Sequence, residues 1–478
     1  MFETGVRQFR MAMGMVWGRR LNTRNLGRLV EDALATIAEF GEPGSDVQQL
    51  VHGPFADPEA RLHFATRGIQ RTARRLAEQS PFYGRRFAAA EVAPDKLEVA
   101  GLGAIPVTTK ADLVSRPEDF RCADAPRHLT TRTTGTTGRP AEIWLSRYEM
   151  ELWAGLGALS GVLRDELRPT DVMQVHSSSR ATAAVHLDVG ACRLVGAGCR
   201  VLGIVPADDA LDGLGAGGAT LLATYPSYLA ELVVTARKRG MGPADFALRR
   251  IQVGGEVLSP SVARAARETF GVAAVADAFG MTEVIPVTGR TCGHGHLHHD
   301  INMGLVEHLD LVTGEPAEPG ALATVVITPF FPYRDCMPVF RYDTRDVVRM
   351  LPGGEPLHCE VAGLPATGPL LGKADHLLRL GRDAVVSPRE LVEAIEALPT
   401  RPWPARFRAT VHDGRIRLTV PVAVIDGFGE AATRQHLADR GLDVDLTVVG
   451  DEEAGSLRHL RADLHETTFG TRPALTGA

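Results

Sequence analysis

Lysine is nearly missing from this chain. Of 52 lysines and arginines together, the only lysines are Lys96, Lys110, Lys238 and Lys373. A compact ammonium is therefore unavailable at almost every position, and nowhere after Lys373, so a site that needs one has few candidates and arginine is not an equal replacement. Long apolar runs are missing as well. No stretch of about eighteen consecutive apolar residues occurs, which excludes the usual membrane-spanning helix. Met11–Trp17 is apolar but short, with arginines on both sides and no small-residue cleavage site, so a signal peptide is not expected. Cysteines are few, six in all. Without an export signal they are expected as reduced thiols or metal ligands in a cytoplasm. Basic residues are scattered rather than gathered on one face, and the net charge is -6, so nucleic acid is not an expected partner. No internal repeat and no long low-complexity tract is present.

What remains is a chain of 478 residues, 44% apolar and 23% charged, a balance that supports a large buried core divided between two or three units. Residues 1–58 read as a helical extension, and Pro58 to Phe87 as helical and arginine-rich. From about residue 128, short apolar runs (Val201–Val205, Ala219–Ala223, Val272–Ala276) alternate with helical stretches such as Ser259–Phe270. That alternation predicts an α/β architecture with parallel-rich sheets. Residues 321–352 differ. Ala323–Thr328 and Val339–Tyr342 are closely spaced strand patterns, predicting a small β-rich, barrel-like subdomain. Beyond Gly372 the pattern is a helix at Pro388–Leu398 and strands at 405–412 and 415–420, a small α+β lid. The expected division is 1–58, a large domain over 59–372, a hinge at 373–375, a lid over 376–470 and a tail over 471–478.

The most informative segment is Thr133-Thr134-Gly135-Thr136-Thr137-Gly138-Arg139-Pro140. Its glycines let the backbone approach an anion closely. Four threonine hydroxyls and the backbone N–H groups can surround phosphate oxygens, with added charge from Arg139. An isolated Gly-Thr-Thr-Gly is as often a polar surface turn, but this one has company. The segment resembles the phosphate loop of the adenylate-forming superfamily, Ser/Thr-Gly-Thr-Thr-Gly-Lys-Pro, with Arg139 where lysine is usual. Further matches follow in the order found in phenylacetate–CoA ligases: Ser80 to Phe87, Ile105 to Leu113, Pro226-Ser227-Tyr228, Gly254-Gly255-Glu256, Asp277-Ala278-Phe279-Gly280-Met281-Thr282-Glu283, Arg341 to Asp346, and Gly372-Lys373-Ala374-Asp375. Each is weak alone; their shared order is specific.

The resemblance implies ATP-dependent activation of a small carboxylic acid as an acyl-adenylate, followed by transfer to CoA. An amine or alcohol acceptor, an adenylyltransferase that leaves AMP on the product, and a catalytically silent binding homologue stand as the alternatives. It also implies roles. Thr133, Thr134, Gly135, Thr136, Thr137, Gly138 and Arg139 hold the β- and γ-phosphates. Thr282 touches the α-phosphate, Glu283 ligates Mg²⁺, and Asp346 accepts from the ribose hydroxyls. Gly254, Gly255, Glu256, Asp277, Phe279 and Gly280 border the adenine. His176, Arg180, Tyr225, Tyr228 and Gly254 outline the acyl pocket, and Asp375 is the hinge. The small, polar composition of 176–185, with a charge at Arg180, points to a smaller, more polar or anionic acid rather than phenylacetate. A homodimer is compatible with the resemblance.

Two features concern metal and lid. Cys292-Gly293-His294-Gly295-His296-Leu297-His298-His299 is dense in zinc-type ligands. Some phenylacetate–CoA ligase relatives bind a structural metal through a cysteine, a Gly-Leu-His and a later Cys-x-Cys. Cys292, His298 and Cys359 fall on three of those places, Leu357 occupies the fourth, and Cys336 or His358 can supply the missing ligand; a solvated histidine-rich loop is the competing reading. The lysine that such enzymes carry near the C-terminus is absent, with Arg458 or Arg461 as the available substitutes.

Overall fold

The computed structural model describes residues 20–41, 57–133, 140–177, 182–353, 357–359, 361, 363–381, 384–450 and 457. Thr134, Gly135, Thr136, Thr137, Gly138, Arg139, Arg180, Arg458 and Arg461 therefore lie outside the described residues, as does the 471–478 tail.

Helix starts follow capping chemistry. Asn22 caps α1 (Thr23–Phe40) and Asp57 caps α2 (Pro58–Gln79), each through a side-chain oxygen that accepts a backbone N–H, with proline at the first position of α2. The helical reading of Pro58 to Phe87 resolves into two helices, because Ser80 leaves helical geometry ahead of Pro81, which opens α3 (Pro81–Ala89). A capping box between Thr109 and Asp112 starts α4 (Lys110–Ser115), and α5 (Pro117–Phe120) follows. The antiparallel pair β1 (Leu129–Arg132) and β2 (Glu142–Leu145) brackets the threonine–glycine segment. A second box, Ser146 with Glu149, starts α6 (Arg147–Leu163).

Strand–helix alternation then begins in earnest: β3 (Val172–Val175), α7 (Thr182–Val195), β4 (Gly198–Val201), α8 (Ala207–Leu214), β5 (Leu221–Thr224), α9 (Pro226–Lys238), β6 (Arg250–Gly254), α10 (Pro260–Phe270) and β7 (Val275–Phe279). These strands pair in parallel in the order β4-β3-β5-β6-β7, as helical crossovers require. The chain goes on through β8 (Gly289–Thr291), β9 (Leu297–His299), β10 (Gly304–Asp310), β11 (Leu322–Pro329), β12 (Tyr342–Arg349), β13 (Ala366–Thr367) and β14 (Gly372–Lys373). β8, β9 and β13 extend the parallel sheet antiparallel to eight strands. The β-rich unit expected over 321–352 is a four-stranded antiparallel sheet, β10-β11-β12-β14.

Beyond it, β15 (Leu378–Arg379) pairs with β16 (Val385–Val386). A three-stranded sheet of β17 (Arg408–His412), β18 (Arg415–Pro421) and β19 (Val444–Val449) packs with α11 (Pro388–Glu396) and α12 (Glu430–Ala438) around its own apolar cluster, which includes Leu391, Ile395, Ile416 and Leu418. Val257 of the preceding segment inserts into that cluster, so the terminal unit rests on the loop after β6.

Two strand boundaries differ from expectation for local reasons. The run Val201–Val205 leaves the sheet after Val201, because Gly203 turns the backbone at φ 69°. The run Val339–Tyr342 is extended only at its end: Arg341 sits at φ 49°, so β12 begins at Tyr342 and runs on to Arg349. Among the described residues no helix is long and apolar enough to cross a membrane.

Candidate active site

In a parallel sheet, the carboxyl ends of the strands open onto the crevice where ligands bind. Here that crevice collects His176 and Ser177 after β3, Tyr225 after β5, Gly255 and Glu256 after β6, and Gly280 to Glu283 after β7. Together with Lys110, Thr133, Tyr342, Asp346, Lys373 and Arg389 they line a single cavity of about 960 Å³.

The Gly-Gly-Glu turn is dictated by space. A Cβ at Gly254 would stand 2.7 Å from the Ala278 carbonyl oxygen of the neighbouring strand. Gly255 has φ 81°, with the Tyr225 ring 3.5 Å from where its Cβ would be. The Glu256 carboxylate accepts the Ser227 N–H at 3.1 Å, an anion at the start of α9. In the next strand, the Asp277 carboxyl accepts from the Thr291 hydroxyl at 3.0 Å. Burial raises its pKa, while Arg389 opposes the rise.

Glu283 is buried, and burial lifts its carboxyl above the usual range against the pull of Lys110 and Lys373. A buried carboxyl that feels the charge of two ammonium groups stabilises positive charge brought near it. Tyr342 points its hydroxyl toward Glu283 Oε1 across 3.5 Å, too long for a strong hydrogen bond. Asp346, also buried, is raised by burial and lowered by Lys373. Lys373 Nζ donates to Asp346 Oδ2 at 2.8 Å and to the Thr344 carbonyl at 2.9 Å. Arg345, at φ 59°, donates to Asp375 Oδ1 at 2.7 Å, which ties the expected hinge residue to the Arg341–Asp346 motif.

On the acyl side, His176 Nδ1 meets the Gly203 carbonyl and Nε2 meets the Gln174 amide, both at 2.8 Å. Burial lowers its pKa, so the ring is neutral at pH 7. Tyr225 and Ser177 share a hydrogen bond of 3.1 Å. Tyr228 does not belong to the cavity wall. It lies on the buried face of α9, where its hydroxyl donates to the Val205 carbonyl at 2.6 Å, whereas Tyr225, one turn earlier, caps the helix and faces the crevice.

The metal candidates separate in the same way. Cys292, His296 and His298 bring their ligand atoms within 4.8 Å of one another, and Cys359 Sγ lies 3.4 Å from His298 Nε2. Cys336 is not among them: it is fully buried in the main core, its thiol directed at the Ala125 carbonyl at 3.7 Å. His296 takes the fourth place instead, because β8 and β9 form a hairpin that returns it toward Cys292, whose N–H donates to the His296 carbonyl at 2.9 Å.

Comparison with known proteins agrees with this geometry. The profile of the family described as "AMP-binding enzyme" matches residues 130–312. The phenylacetate-coenzyme A ligase of Pseudomonas putida is 25% identical over 342 residues, 66% of this chain and 71% of the relative. That of Escherichia coli strain K12 is 26% identical over 317 residues, 60% and 67% of the two chains. The chain carries an AMP-binding-enzyme segment over 130–312 and is similar to phenylacetate–CoA ligases. The fold itself is alike across nearly the whole chain. A structure of 2-hydroxyisobutyryl-CoA ligase in the postadenylation state superposes with TM-score 0.72 at 18% identity, covering 90% of this chain and 93% of that one.

Several residues of this adenylate-forming site escape sequence reasoning. Lys110 looks like the opening of a short helix, and Arg389 like part of the lid. Asp188 sits on α7 and lines the cavity beside Ala184, Leu187 and Ala191. That helical spacing is the signal that reveals it: one carboxylate in an otherwise apolar stripe.

Proposed function

We propose that this chain activates a carboxylic acid with ATP and passes the acyl group to CoA. In the first step a carboxylate oxygen attacks the α-phosphorus and pyrophosphate leaves. In the second the CoA thiolate attacks the acyl carbon and AMP leaves. The observation that carries the reading is convergence. Thr133 at the mouth of the threonine–glycine segment, Glu283 and Asp346 face one cavity, which also contains an arm between α6 and α7.

In this reading Asp277 and Gly254 to Glu256 hold the adenine, Asp346 the ribose, and Thr133 with the residues through Arg139 the terminal phosphates. Glu283 is the carboxylate that would hold Mg²⁺, which neutralises triphosphate charge. Thr282 stands beside the α-phosphate. Lys110, in the same cavity and acting electrostatically on Glu283, supplies an ammonium to a chain that has none near its C-terminus. Burial lowers the pKa of Lys110 while Glu283 raises it. Residues 376–450 act as the lid, and Asp375, held by Arg345, is its hinge. Pyrophosphate–ATP exchange across a panel of carboxylic acids, followed by mass spectrometry of products with CoA present, tests the proposal. Exchange and an acyl-CoA are expected; exchange with no acid at all would sink it.

Cys292, His296, His298 and Cys359 fit a structural zinc ion. Two thiolates and two imidazoles are a usual tetrahedral donor set. The buried Nδ1 of His296 has no hydrogen-bond partner among the described residues. Nδ1 of His298 faces the Leu364 carbonyl at 3.3 Å, which orients Nε2 toward the other ligands. The ion would fasten the β8–β9 hairpin to the segment around Cys359.

A further inference from the structure

The acyl arm of the cavity runs between α6 and α7. Leu156, Gly157 and Leu159 line it from one helix, Ala184, Leu187 and Ala191 from the other. Small residues at 157, 184 and 191 keep this space open. Arg164 and Glu166 line the cavity just beyond the end of α6, and among the residues of α6 and α7 that line it the one ionisable group is Asp188. No charged side chain among the described residues acts on it. The Cys192 and Cys199 thiols lie near enough to feel its charge, but neither neutralises it. The Asp188 side chain is half-buried against the cavity wall, and desolvation pushes its pKa up to about 7. A half-buried carboxyl that lines a cavity with no charged partner among the described residues is partly desolvated and costs the fold some stability. An apolar residue here would pack on Leu187 and Ala191 without that cost. A cavity that keeps such a group offers its charge to whatever enters.

The position narrows what that is. The reacting carboxylate must lie at the other end of the arm, near Thr282 and the α-phosphate, because that is where the adenylate forms. Asp188 lies four residues beyond Ala184 along α7, about 6 Å further along that helix from its start after His176 and Ser177. It therefore meets the part of the substrate remote from the carboxylate. An anionic tail is repelled there, and a purely apolar tail leaves the carboxyl unpaired. An ammonium pairs with it directly and restores it to the ionised form.

We infer that Asp188 is a specificity residue for the acyl substrate, and that this substrate is a carboxylic acid bearing a primary amine at the end remote from the carboxylate. The inference rests on the ligase reading and refines it: the anionic acid suggested by Arg180 is replaced by a cationic one.

The test is pyrophosphate–ATP exchange by the full chain with size-matched acids: 5-aminovalerate, hexanoate and glutarate, together with 3-aminophenylacetate and 3-methylphenylacetate. The amine-bearing member of each set is expected to exceed its partners by at least about tenfold in kcat/KM, the smaller end of a charge-assisted hydrogen bond. Asp188→Asn, isosteric and uncharged, is expected to lose that preference through KM while exchange with the neutral acids is retained or improved. The melting temperature of Asp188→Asn serves as the folding check and is expected at or above that of the native chain. Preference for glutarate or for the neutral acids, or an amine preference that survives Asp188→Asn, overturns the inference while leaving the ligase reading intact. Exchange with no acid, neutral ones included, defeats the ligase reading and this inference with it.

Discussion

Lys373 Nζ lies 2.8 Å from Asp346 Oδ2, so one of only four lysines in the chain is paired with a buried carboxylate at the edge of the nucleotide cavity. Its ammonium also donates to the Thr344 carbonyl at 2.9 Å. Lys373→Ala leaves Asp346 buried and uncompensated. The expected result is a loss of about 3 kcal/mol of stability in denaturant unfolding and a raised KM for ATP, because a protonated Asp346 accepts fewer hydrogen bonds from ribose. Lys373→Arg should recover most of both losses. An unchanged KM for ATP in the alanine variant would remove Asp346 from the ribose site.

Glu283 and Lys110 make a second pair, coupled by charge across the cavity. Glu283→Gln keeps shape and removes charge. Its expected effect is a drop in exchange rate on the order of 10²–10³, the scale for deleting one preorganised electrostatic contact in a transition state. Lys110→Met should lower kcat by a similar factor without shifting the melting temperature downward, since the half-buried ammonium is partly desolvated in the native chain. If both variants turn over normally, neither group attends the phosphates.

The main sheet was legible from the sequence because its strands are short apolar runs set between helices, and the site was legible because its motifs end those strands. Local backbone geometry was not legible: nothing in Val339–Tyr342 signals that Arg341 adopts φ 49° and delays β12. Tyr228 and Cys336 were misplaced for a related reason. A motif names residues in a row, but Tyr225 is the extended residue that precedes α9 and lines the crevice, whereas Tyr228 lies within the helix and packs into the core. His296 and Asp188 are the reverse case, residues without motif standing that the fold carries into position.

Gly254 should tolerate no side chain. A Cβ there meets the Ala278 carbonyl oxygen at 2.7 Å, and backbone on both strands cannot yield without parting β6 from β7. Gly254→Ala is expected to cost about 1–3 kcal/mol and to weaken ATP binding more than acid binding, as measured by melting shifts with each ligand. Equal losses for the two would place the turn outside the adenine site.

Metal analysis separates the cysteines. The native chain should carry close to one zinc, and Cys292→Ser or His296→Ala should lose it together with thermal stability. Cys336→Ser, whose thiol lies in the core against Ala125, should keep its zinc while losing some stability. Retention of zinc by both Cys292→Ser and His296→Ala would rule out this ligand set.

A last prediction concerns pH. Glu396 of α11 is buried, with its carboxylate accepting the Ala405 N–H at 2.9 Å and bonding the Ser259 side chain of the large domain. Burial, aided by the charges of Glu256 and Glu393, lifts its pKa to about 7 against the Ser259 and Ala405 hydrogen bonds. The native state therefore holds a proton that the unfolded chain has already released above the ordinary glutamate range. Where the native state binds more protons, stability falls as pH rises. The loss begins near the unfolded value and is complete once pH passes about 7, and it amounts to about 3 kcal/mol at most. Glu396→Gln removes the titrating proton while keeping an acceptor for Ala405. The variant should match the native chain at pH 5 and exceed it at pH 8 in chemical denaturation, with the difference growing across that window. A difference independent of pH would mean that Glu396 does not titrate there.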